Sequence, residues 1–301
     1  MTRLGRRMFL TLAGSAGLSA FSGCIGEKNP DSGTFAHYPS TLEKKRFPIV
    51  LSSNENPFGP SPEAVEAGIN AVRNSSHLYS REHRDRFSRD LADHYRIGQG
   101  EMLLGCGAIE LLKIATDVFC SPRNPPIISE PVYEAMDYYA GLRGIRPIKI
   151  PVRTIDMGQD LQVMLDAASS RDGLIYVCNP CNPTGRLIKK KELTDFIRQV
   201  PEGVITVIDE AYAEYVGPEF FSCMNLVRSG APNLIVVRTF SKIYGLAGLR
   251  VGYCAGNEEL IRAMVTDSGI TSTNPDSRLP VRLLMINHGC KGCKEQIIRP
   301  E

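Results

Sequence analysis

The stretch LIYVCNPCNPTG, residues 174–185, decides the class of fold, because an apolar run there passes directly into a turn rich in asparagine, proline and glycine. A short apolar run bounded by turn residues is typical of a buried β-strand. Five more runs of this kind occur in the chain: MLLG (102–105), PIIS (126–129), VITVIDE (204–210), LIVVR (234–238) and RVGYCAG (250–256). The sequence therefore predicts six strands.

Helical patterns lie between these runs. One begins at Ser61 and Pro62, a capping residue followed by a proline in the first turn. The others are REHRDRFSRDLADHY (81–95), AIELLKIATDVF (108–119), VYEAMDYYAGL (132–142), LQVMLDAAS (161–169), KKKELTDFIRQ (189–199) and EELIRAMVT (258–266). Strands that alternate with helices predict an α/β fold, with a mostly parallel sheet covered by helices on both faces. Ligands of such sheets bind beyond the carboxyl ends of the strands.

The composition is that of an ordinary globular protein of 301 residues, 43% hydrophobic and 23% charged. The formal net charge is only +2, so nucleic acid is not expected as a partner. After the first segment, no apolar run reaches the roughly 18 residues that a membrane-spanning helix needs. Function therefore has to be inferred from the motifs.

The first 24 residues, MTRLGRRMFLTLAGSAGLSAFSGC, have the pattern of a targeting segment. Arg6 and Arg7 precede a modest apolar stretch, which resembles a twin-arginine export signal. The ending FSGC resembles a lipobox, in which Cys24 would carry a lipid anchor. We therefore expect an exported, periplasmic protein, lipid-anchored if Cys24 is acylated, with a tether over residues 25–45. An uncleaved N-terminal membrane anchor is the alternative.

Nine cysteines leave the redox compartment open. Two C-x-x-C pairs, Cys178 with Cys181 and Cys290 with Cys293, have a spacing found in four-thiolate zinc sites. However, the pairs lie far apart in the chain and the first falls inside another motif. No metal is therefore expected.

Two of the strand ends carry turns suited to binding. GCGAIELL (105–112) passes from a glycine turn into a helix, where backbone N–H groups and the helix dipole favour an anion. NPCNPTG (179–185) forms an extended turn that points Asn182 inward. Either turn alone is also consistent with a purely structural loop.

Two further strand ends carry charge. VITVIDEAY (204–212) ends in Asp209, Glu210 and Tyr212, and a buried carboxylate is costly unless a cation pairs with it. RTFSKIYGLAGLRVGY (238–253) supplies two cations, Lys242 and Arg250, among glycines that permit close backbone approach. Together with Asn182 and the glycine turn at residues 105–107, these groups predict a set of Asn, Asp, Tyr, Lys and Arg side chains around a turn that can bind phosphate.

Pyridoxal 5′-phosphate requires such a set: an amine for a Schiff base, a carboxylate for the ring nitrogen, a donor for the phenolic oxygen, and cations with backbone amides for the phosphate. With these motifs in this order, the chain resembles the class I/II aminotransferases of fold-type I, most closely the histidinol-phosphate aminotransferase branch. The resemblance extends from LSSNENPFGPSP (51–62) to GLAGLRVGY (245–253).

The resemblance implies roles for individual residues around the ring. Lys242 would be the catalytic residue that forms the Schiff base, and Asp209 would pair with the pyridine nitrogen. Asn182 and Tyr212 would bond the phenolic oxygen. Tyr133 would stack on the ring.

The resemblance also implies roles for residues further from the ring. The phosphate would be held by four residues: Ser241, Arg250 and the backbone at Ala108 and Ile109. Tyr79 would reach the cofactor of a neighbouring subunit, which implies a homodimer. Asn54 and Gly59 match the motif on the substrate side.

In the domain organisation that follows, residues 46–75 belong to a small domain and to the entry into the large one, and residues 76–267 form the cofactor-binding large domain. Residues 268–301 do not follow the family's pattern, which continues further and supplies an arginine for the substrate carboxylate. We therefore expect an incomplete small domain and a truncated C-terminal segment.

The leading functional hypothesis is amino-group transfer between an amino acid, or an amine derived from an amino acid, and a 2-oxo acid. A decarboxylase of the same family is an alternative, because only the substrate wall of the site decides which bond breaks. A catalytically inactive, cofactor-binding lipoprotein is another. A Rossmann dinucleotide enzyme is disfavoured, because no G-x-G-x-x-G follows the first strand.

Overall fold

The computed structural model describes residues 52–79, 81–168 and 173–267. The predicted signal (1–24), the tether (25–45) and the divergent end (268–301) lie outside the described residues, and so do Cys24, Cys290 and Cys293. The described residues include no helix long and apolar enough to cross a membrane. Within the same ranges no three His, Cys, Asp or Glu side chains form a group that could hold a metal ion.

Seven strands form one sheet in the order β1-β7-β6-β5-β4-β2-β3. Their bounds are β1 Met102–Gly105, β2 Ile127–Glu130, β3 Ile148–Pro151, β4 Gly173–Cys178, β5 Val204–Asp209, β6 Leu234–Thr239 and β7 Gly252–Gly256. Strand β7 is antiparallel to both of its neighbours, and every other pairing is parallel. The prediction of a mostly parallel sheet is confirmed.

Eight α-helices are described around this sheet. Their bounds are α1 Pro62–Ser75, α2 Arg81–Tyr95, α3 Ala108–Phe119, α4 Ala135–Leu142, α5 Leu161–Ala168, α6 Lys190–Gln199, α7 Met224–Arg228 and α8 Glu258–Asp267. Helix α1 begins as the sequence predicts, because the Ser61 side chain accepts a hydrogen bond from the Ala64 N–H and Pro62 occupies the first turn.

Helices cover both faces of the sheet, as predicted. One buried cluster joins the sheet to α2, α5, α6 and α7, and a second joins it to α3, α4 and α8. Successive residues of a strand go to opposite clusters: Ile175 and Val177 lie in the first, whereas Leu174 and Tyr176 lie in the second. The central strands are therefore buried on both sides, which explains their continuous apolar runs.

The sequence prediction was wrong at four places, and one of them is the short helix α7, Met224–Arg228, which it did not contain. It missed β3, an edge strand in which only Ile150 is buried and which therefore lacks an apolar run. Helix α4 begins at Ala135 rather than at residue 132, so Tyr133 lies before the helix. Strand β7 begins at Gly252 rather than at Arg250, because Arg250 has a left-handed backbone (φ 52°) that a strand cannot continue.

Candidate active site

A cavity of about 320 Å³ opens at the edge of the sheet where the parallel strands end. Nine of the twelve predicted site residues line it: Ala108, Ile109, Tyr133, Asn182, Asp209, Tyr212, Ser241, Lys242 and Arg250. Its volume falls within the range of small-molecule sites. The residues that the motifs singled out therefore share one concave surface.

The topology explains why these residues meet. Asp209 is the last residue of β5, Asn182 lies in the turn after β4, and Lys242 follows β6 by three residues. Arg250 comes before a strand rather than after one. Because β7 runs antiparallel to β6, its start lies at the same edge as the ends of the other strands, and Arg250 joins the group.

Lys242 projects its amine across the cavity toward the chain that leads into α1. Its Nζ donates to the backbone oxygen of Ser53 at 2.9 Å and to that of Asn54 at 3.3 Å. Burial lowers the pKa of Lys242, and the negative charges of Asp209 and Glu55 partly oppose this change. A lowered pKa increases the share of neutral amine, which is the nucleophilic form.

Asp209 is only 2% exposed and lies at the bottom of the cavity. One carboxylate oxygen accepts the Tyr176 hydroxyl at 2.9 Å, and the other accepts the Ala211 N–H at 3.0 Å. Burial raises the pKa of Asp209, and these two hydrogen bonds and the charge of Lys242 offset it only in part. A buried carboxylate whose negative charge is only partly compensated is suited to pairing with a cationic N–H of a ligand.

Glu210, the next residue, is already paired. Its carboxylate accepts from Arg238 at 3.1 Å, from the Ser222 hydroxyl at 2.6 Å and from the Cys223 N–H at 2.6 Å. Arg238 also contacts Glu214. The two acidic residues that end β5 therefore differ: Glu210 belongs to a structural ion-pair network, and Asp209 faces the cavity.

Another part of the cavity lining is suited to binding an anion. The first two residues of α3, Ala108 and Ile109, line it, so the helix N-terminus points toward it. The Arg250 guanidinium is held beside this terminus by the backbone oxygens of Ala247, at 2.8 Å, and Cys106, at 3.4 Å. Backbone N–H groups and a fixed guanidinium together match a phosphate group.

Two hydrogen bonds with Thr239 hold Ser241 in place. The Thr239 hydroxyl donates to Ser241 Oγ at 2.9 Å and accepts the Ser241 N–H at 3.1 Å. Ser241 lines the cavity, so its hydroxyl is a further donor available to an anion there.

Close packing of Gly252 beneath α3 sets the position of this helix terminus. A Cβ at Gly252 would lie 2.5 Å from the Ala108 nitrogen and 2.6 Å from the Gly107 carbonyl carbon, and neither backbone atom can rotate away. We expect Gly252→Ala to lower the free energy of unfolding by about 1–3 kcal/mol, measured by denaturant titration. Gly248→Ala is the control, because a Cβ there has no atom within 4 Å. Equal stability of the two variants would contradict the tight contact.

Tyr212 and Asn182 both line the cavity. Asn54 donates to the Tyr212 oxygen at 2.9 Å, although Asn54 is not part of the cavity lining. Burial raises the pKa of Tyr212, which keeps the hydroxyl protonated and able to donate. The Tyr133 ring lines the cavity from the segment before α4.

Two other predicted residues lie outside the cavity lining. Gly59 lies in the turn before α1, where its backbone packs against Gly245. Tyr79 is 73% exposed and does not reach the cavity of its own chain. The structure of one chain therefore gives neither residue a contact in the site.

Sequence reasoning missed several residues of the site. The cavity lining also contains Ser53, Glu55, Cys178, Ala211, Thr239, Ala247 and Gly248. Tyr176 lies behind Asp209 and was hidden inside an apolar run. In the sheet Tyr176 is paired with Val207 and Asp209 with Cys178, so no sequence pattern marks the contact between the Tyr176 hydroxyl and Asp209.

The sequence matches the family described as aminotransferase class I and II over residues 48–278. It is 40% identical to a histidinol-phosphate aminotransferase of Moorella thermoacetica over 215 residues, covering 71% of this chain and 55% of that relative. It is 37% identical to an aromatic amino acid aminotransferase of Rhodococcus jostii over 228 residues, covering 75% and 63%. The chain thus spans less than two thirds of the length of these relatives.

A solved structure agrees with the fold. Histidinol-phosphate aminotransferase from Sinorhizobium meliloti, in complex with pyridoxal-5′-phosphate, superposes with a TM-score of 0.69 and 26% identity, covering 82% of this chain and 65% of that one. The prediction of an α/β sheet with helices on both faces is confirmed by this match.

Proposed function

The chain belongs to the class I and II aminotransferase family, and from this premise we propose that it binds pyridoxal 5′-phosphate and transfers an amino group between an amino acid, or an amine derived from one, and a 2-oxo acid. One observation carries the proposal: a lysine amine and a buried carboxylate, Lys242 and Asp209, line the same cavity as a helix N-terminus and Arg250.

The residues present fit this cofactor from end to end. Lys242 would hold its aldehyde carbon, and Asp209 would bind the ring nitrogen. Asn182 and Tyr212 would donate to the phenolic oxygen, and Tyr133 would cover the ring. The phosphate would lie against four groups: the first N–H groups of α3 at Ala108 and Ile109, the Ser241 hydroxyl and the Arg250 guanidinium.

The bound cofactor supplies an electron sink for the pair of electrons left when a bond at the amino acid Cα breaks. This chain's residues supply the proton handling. The Lys242 amine, in the neutral form that its burial favours, would take the proton from the Cα of the amino donor and later return one. The backbone oxygens of Ser53 and Asn54 are positioned to hold the amine between these steps.

The first experiment is a borohydride reduction of the full chain after incubation with pyridoxal phosphate. The adduct should appear on one tryptic peptide, residues 239–250, because trypsin cannot cleave at a modified Lys242. Absence of an adduct there, or adducts scattered over surface lysines, would contradict the proposed site.

The reaction products distinguish an aminotransferase from a decarboxylase that has the same cofactor site. With histidinol phosphate and aromatic amino acids as donors, the classes named for the relatives above, and 2-oxoglutarate as acceptor, transamination gives glutamate and no carbon dioxide. Released carbon dioxide would assign a decarboxylase instead. A reduced adduct without either product would assign a cofactor-binding protein with no turnover of these donors.

We expect Arg250→Met to weaken the binding of pyridoxal phosphate about 10- to 100-fold, because a hydrogen bond to a charged group contributes about 1.5–3 kcal/mol. Binding of pyridoxal, which lacks the phosphate, should change little. Both affinities can be measured by titrating absorbance. Arg198→Met, at a side chain that is 79% exposed, is the control. Equal losses for both ligands would contradict a phosphate role for Arg250.

Assembly and location stay predictions. A homodimer is supported by Tyr79, whose exposed ring lies outside the cavity of its own chain. Light scattering would show a monomer if the prediction is wrong.

Export is supported only by the sequence of residues 1–24. Cell fractionation of the full chain, beside a variant with Arg6 and Arg7 changed to lysine, tests it.

A further inference from the structure

A network of largely buried polar side chains lies outside the cavity lining, and the proposed reaction does not use it. Arg238, on β6, is 8% exposed and pairs with two acidic residues, Glu210 at 3.1 Å and Glu214. Glu214 also accepts a hydrogen bond from the Tyr244 hydroxyl at 3.3 Å. None of these four residues, which we call the Arg238 network, is part of the cavity lining.

The Arg238 network adjoins the site along the chain. Three of its members lie one or two residues after a residue that lines the cavity: Glu210 after Asp209, Glu214 after Tyr212, and Tyr244 after Lys242. Arg238 joins the first two of these segments, and Glu214 joins the second to the third. The segments that carry the carboxylate, the tyrosine hydroxyl and the amine are thus linked by contacts outside the cavity.

Lys242 and Tyr244 belong to one tight turn, residues 242–245, which we call the lysine turn. The Gly245 N–H donates to the Lys242 carbonyl oxygen at 3.0 Å and closes it. Lys242 lines the cavity, whereas the Tyr244 ring packs against Phe240, which is 1% exposed, with 5.2 Å between the ring centroids. Because only one residue separates them, a shift of Tyr244 would carry Lys242 with it.

The Tyr244 hydroxyl is the donor in its contact with Glu214. Burial raises the pKa of Tyr244, and the negative charge of Glu214 raises it further, so the hydroxyl keeps its proton. The side chains of Arg238 and Glu214 are only 9% and 8% exposed, which leaves little water to compete for the carboxylate. A hydrogen bond to a charged acceptor is stronger than one between neutral groups, and the contact is therefore suited to fixing the lysine turn.

We propose that Glu214 is a positioning residue, which holds the lysine turn through the Tyr244 hydroxyl and so keeps the Lys242 amine in place to meet the aldehyde of the cofactor. This inference deepens the proposed function, on which the role of the amine rests. The placement of the amine does not rest on it, and can be measured in the protein without cofactor.

Tyr244→Phe tests the contact, because it removes the hydroxyl and leaves the aromatic ring in place. The lysine turn should loosen rather than unfold, since Asn56 still donates to the Ile243 oxygen at 2.7 Å. The first measurement is exchange of the Gly245 amide with deuterium in the full chain without cofactor. Exchange should become about tenfold faster, the lower end of the effect of one hydrogen bond to a charged group.

The second measurement is the pH midpoint for acylation of the Lys242 amine, which a purely structural role of Glu214 would not move. A trace of acetic anhydride is added at each pH, and the mass of peptide 239–250 reports the product. Burial lowers the pKa of Lys242 and Arg250 lowers it further, whereas Asp209 and Glu55 oppose the change. A loosened turn lets the amine reach water, so the midpoint in Tyr244→Phe should rise toward the ordinary lysine value of 10.5.

Tyr95→Phe is the matched control. It removes another partly buried hydroxyl, which bonds that of Tyr253 on β7 at 2.6 Å, so it should lower stability without moving the Lys242 midpoint. Glu214→Gln should raise the midpoint less than Tyr244→Phe does, because an amide oxygen still accepts the tyrosine proton. The two changes combined should raise it no further than Tyr244→Phe alone, since both act through one contact.

Unchanged exchange at Gly245 in Tyr244→Phe would show that the contact does not hold the lysine turn, and an unchanged midpoint would show that it does not place the amine. Either result overturns the proposal, and so does an equal shift of the midpoint in Tyr95→Phe, which would indicate a general loosening of the fold.

A separate measurement adds pyridoxal phosphate and follows the adduct on Lys242 that borohydride reduces. The adduct should form about tenfold more slowly in Tyr244→Phe than in the parent, because the amine is misplaced. An equal rate in the two proteins would overturn the role toward the cofactor. If the parent forms no adduct, the proposed function fails, while amide exchange and the acylation midpoint still decide whether Glu214 places the amine.

Discussion

Replacing Lys242 with alanine should abolish the borohydride-stable adduct and lower the transamination rate by at least about a thousandfold, because one side chain both holds the cofactor and moves the Cα proton. The structure gives this amine no substitute. Among the described residues that line the cavity, no other lysine occurs. The measurement is single-turnover transamination with pyridoxal phosphate in excess, so that weaker cofactor binding is not mistaken for slower chemistry.

A matched variant separates this effect from a general loss of charge. Lys191→Ala removes an amine whose side chain is 90% exposed on α6, and it should leave both the adduct and the rate unchanged. Lys242→Ala should keep its fold and still bind the cofactor noncovalently, since the phosphate contacts do not involve the amine. A reduced adduct that persists in Lys242→Ala would place the reactive lysine elsewhere and would remove the main support for the proposed mechanism.

Much of the site could be predicted from the sequence, because the carboxyl ends of parallel strands lie next to one another at one edge of the sheet. Asp209 ends one strand with a strongly apolar run and Lys242 follows another, so the pattern alone predicts their positions at one edge of a parallel sheet. The direction of β7 could not be predicted in this way. A buried antiparallel strand shows the same apolar run as a buried parallel one, and Arg250 reaches the site only because β7 is reversed.

The missed residues depend on contacts that local pattern does not encode. Ser53 meets Lys242 across 189 positions of sequence, through a backbone oxygen that any residue would provide. Tyr176 is wholly buried and has the hydrophobic pattern of its strand, yet its hydroxyl binds Asp209. Strand β3 was missed because an edge strand with one buried residue has too little apolar surface to form a run.

Changing Asp209 to asparagine should lower the turnover rate about 10²- to 10³-fold, the loss expected when one preorganised charge is removed from a buried site. The substitution suits the local contacts. The amide oxygen can still accept the Ala211 N–H, and the amide nitrogen can donate to the Tyr176 oxygen. The cavity should therefore keep its shape, and the loss reports on charge. A rate within about threefold of the parent, too small for a lost preorganised charge, would contradict the assignment of Asp209 to the ring nitrogen.

The same variant should make the cofactor-free protein more stable, and this opposite effect distinguishes a functional carboxylate from a structural one. Because burial raises the pKa of Asp209 in the folded chain, the folded state holds its proton more tightly than the unfolded state, and stability falls as pH rises above the ordinary carboxyl value of 3.8. Asparagine has no proton to lose. The stability advantage of Asp209→Asn should thus be absent well below pH 3.8 and grow above it.

Adding pyridoxal phosphate should reverse this order. In the parent protein, a cationic ring nitrogen beside the ionised Asp209 carboxylate would offset the free-energy cost of the buried charge. The amide of Asp209→Asn has no charge and gains no such ion pair. Thermal unfolding of both proteins at neutral pH, with and without cofactor, measures the reversal directly, because a ligand that binds only the folded state stabilises it in proportion to its affinity. If the variant were less stable without cofactor, Asp209 would belong to the packing of the core, like Glu210 in its ion-pair network, and its place at the cavity floor would be incidental.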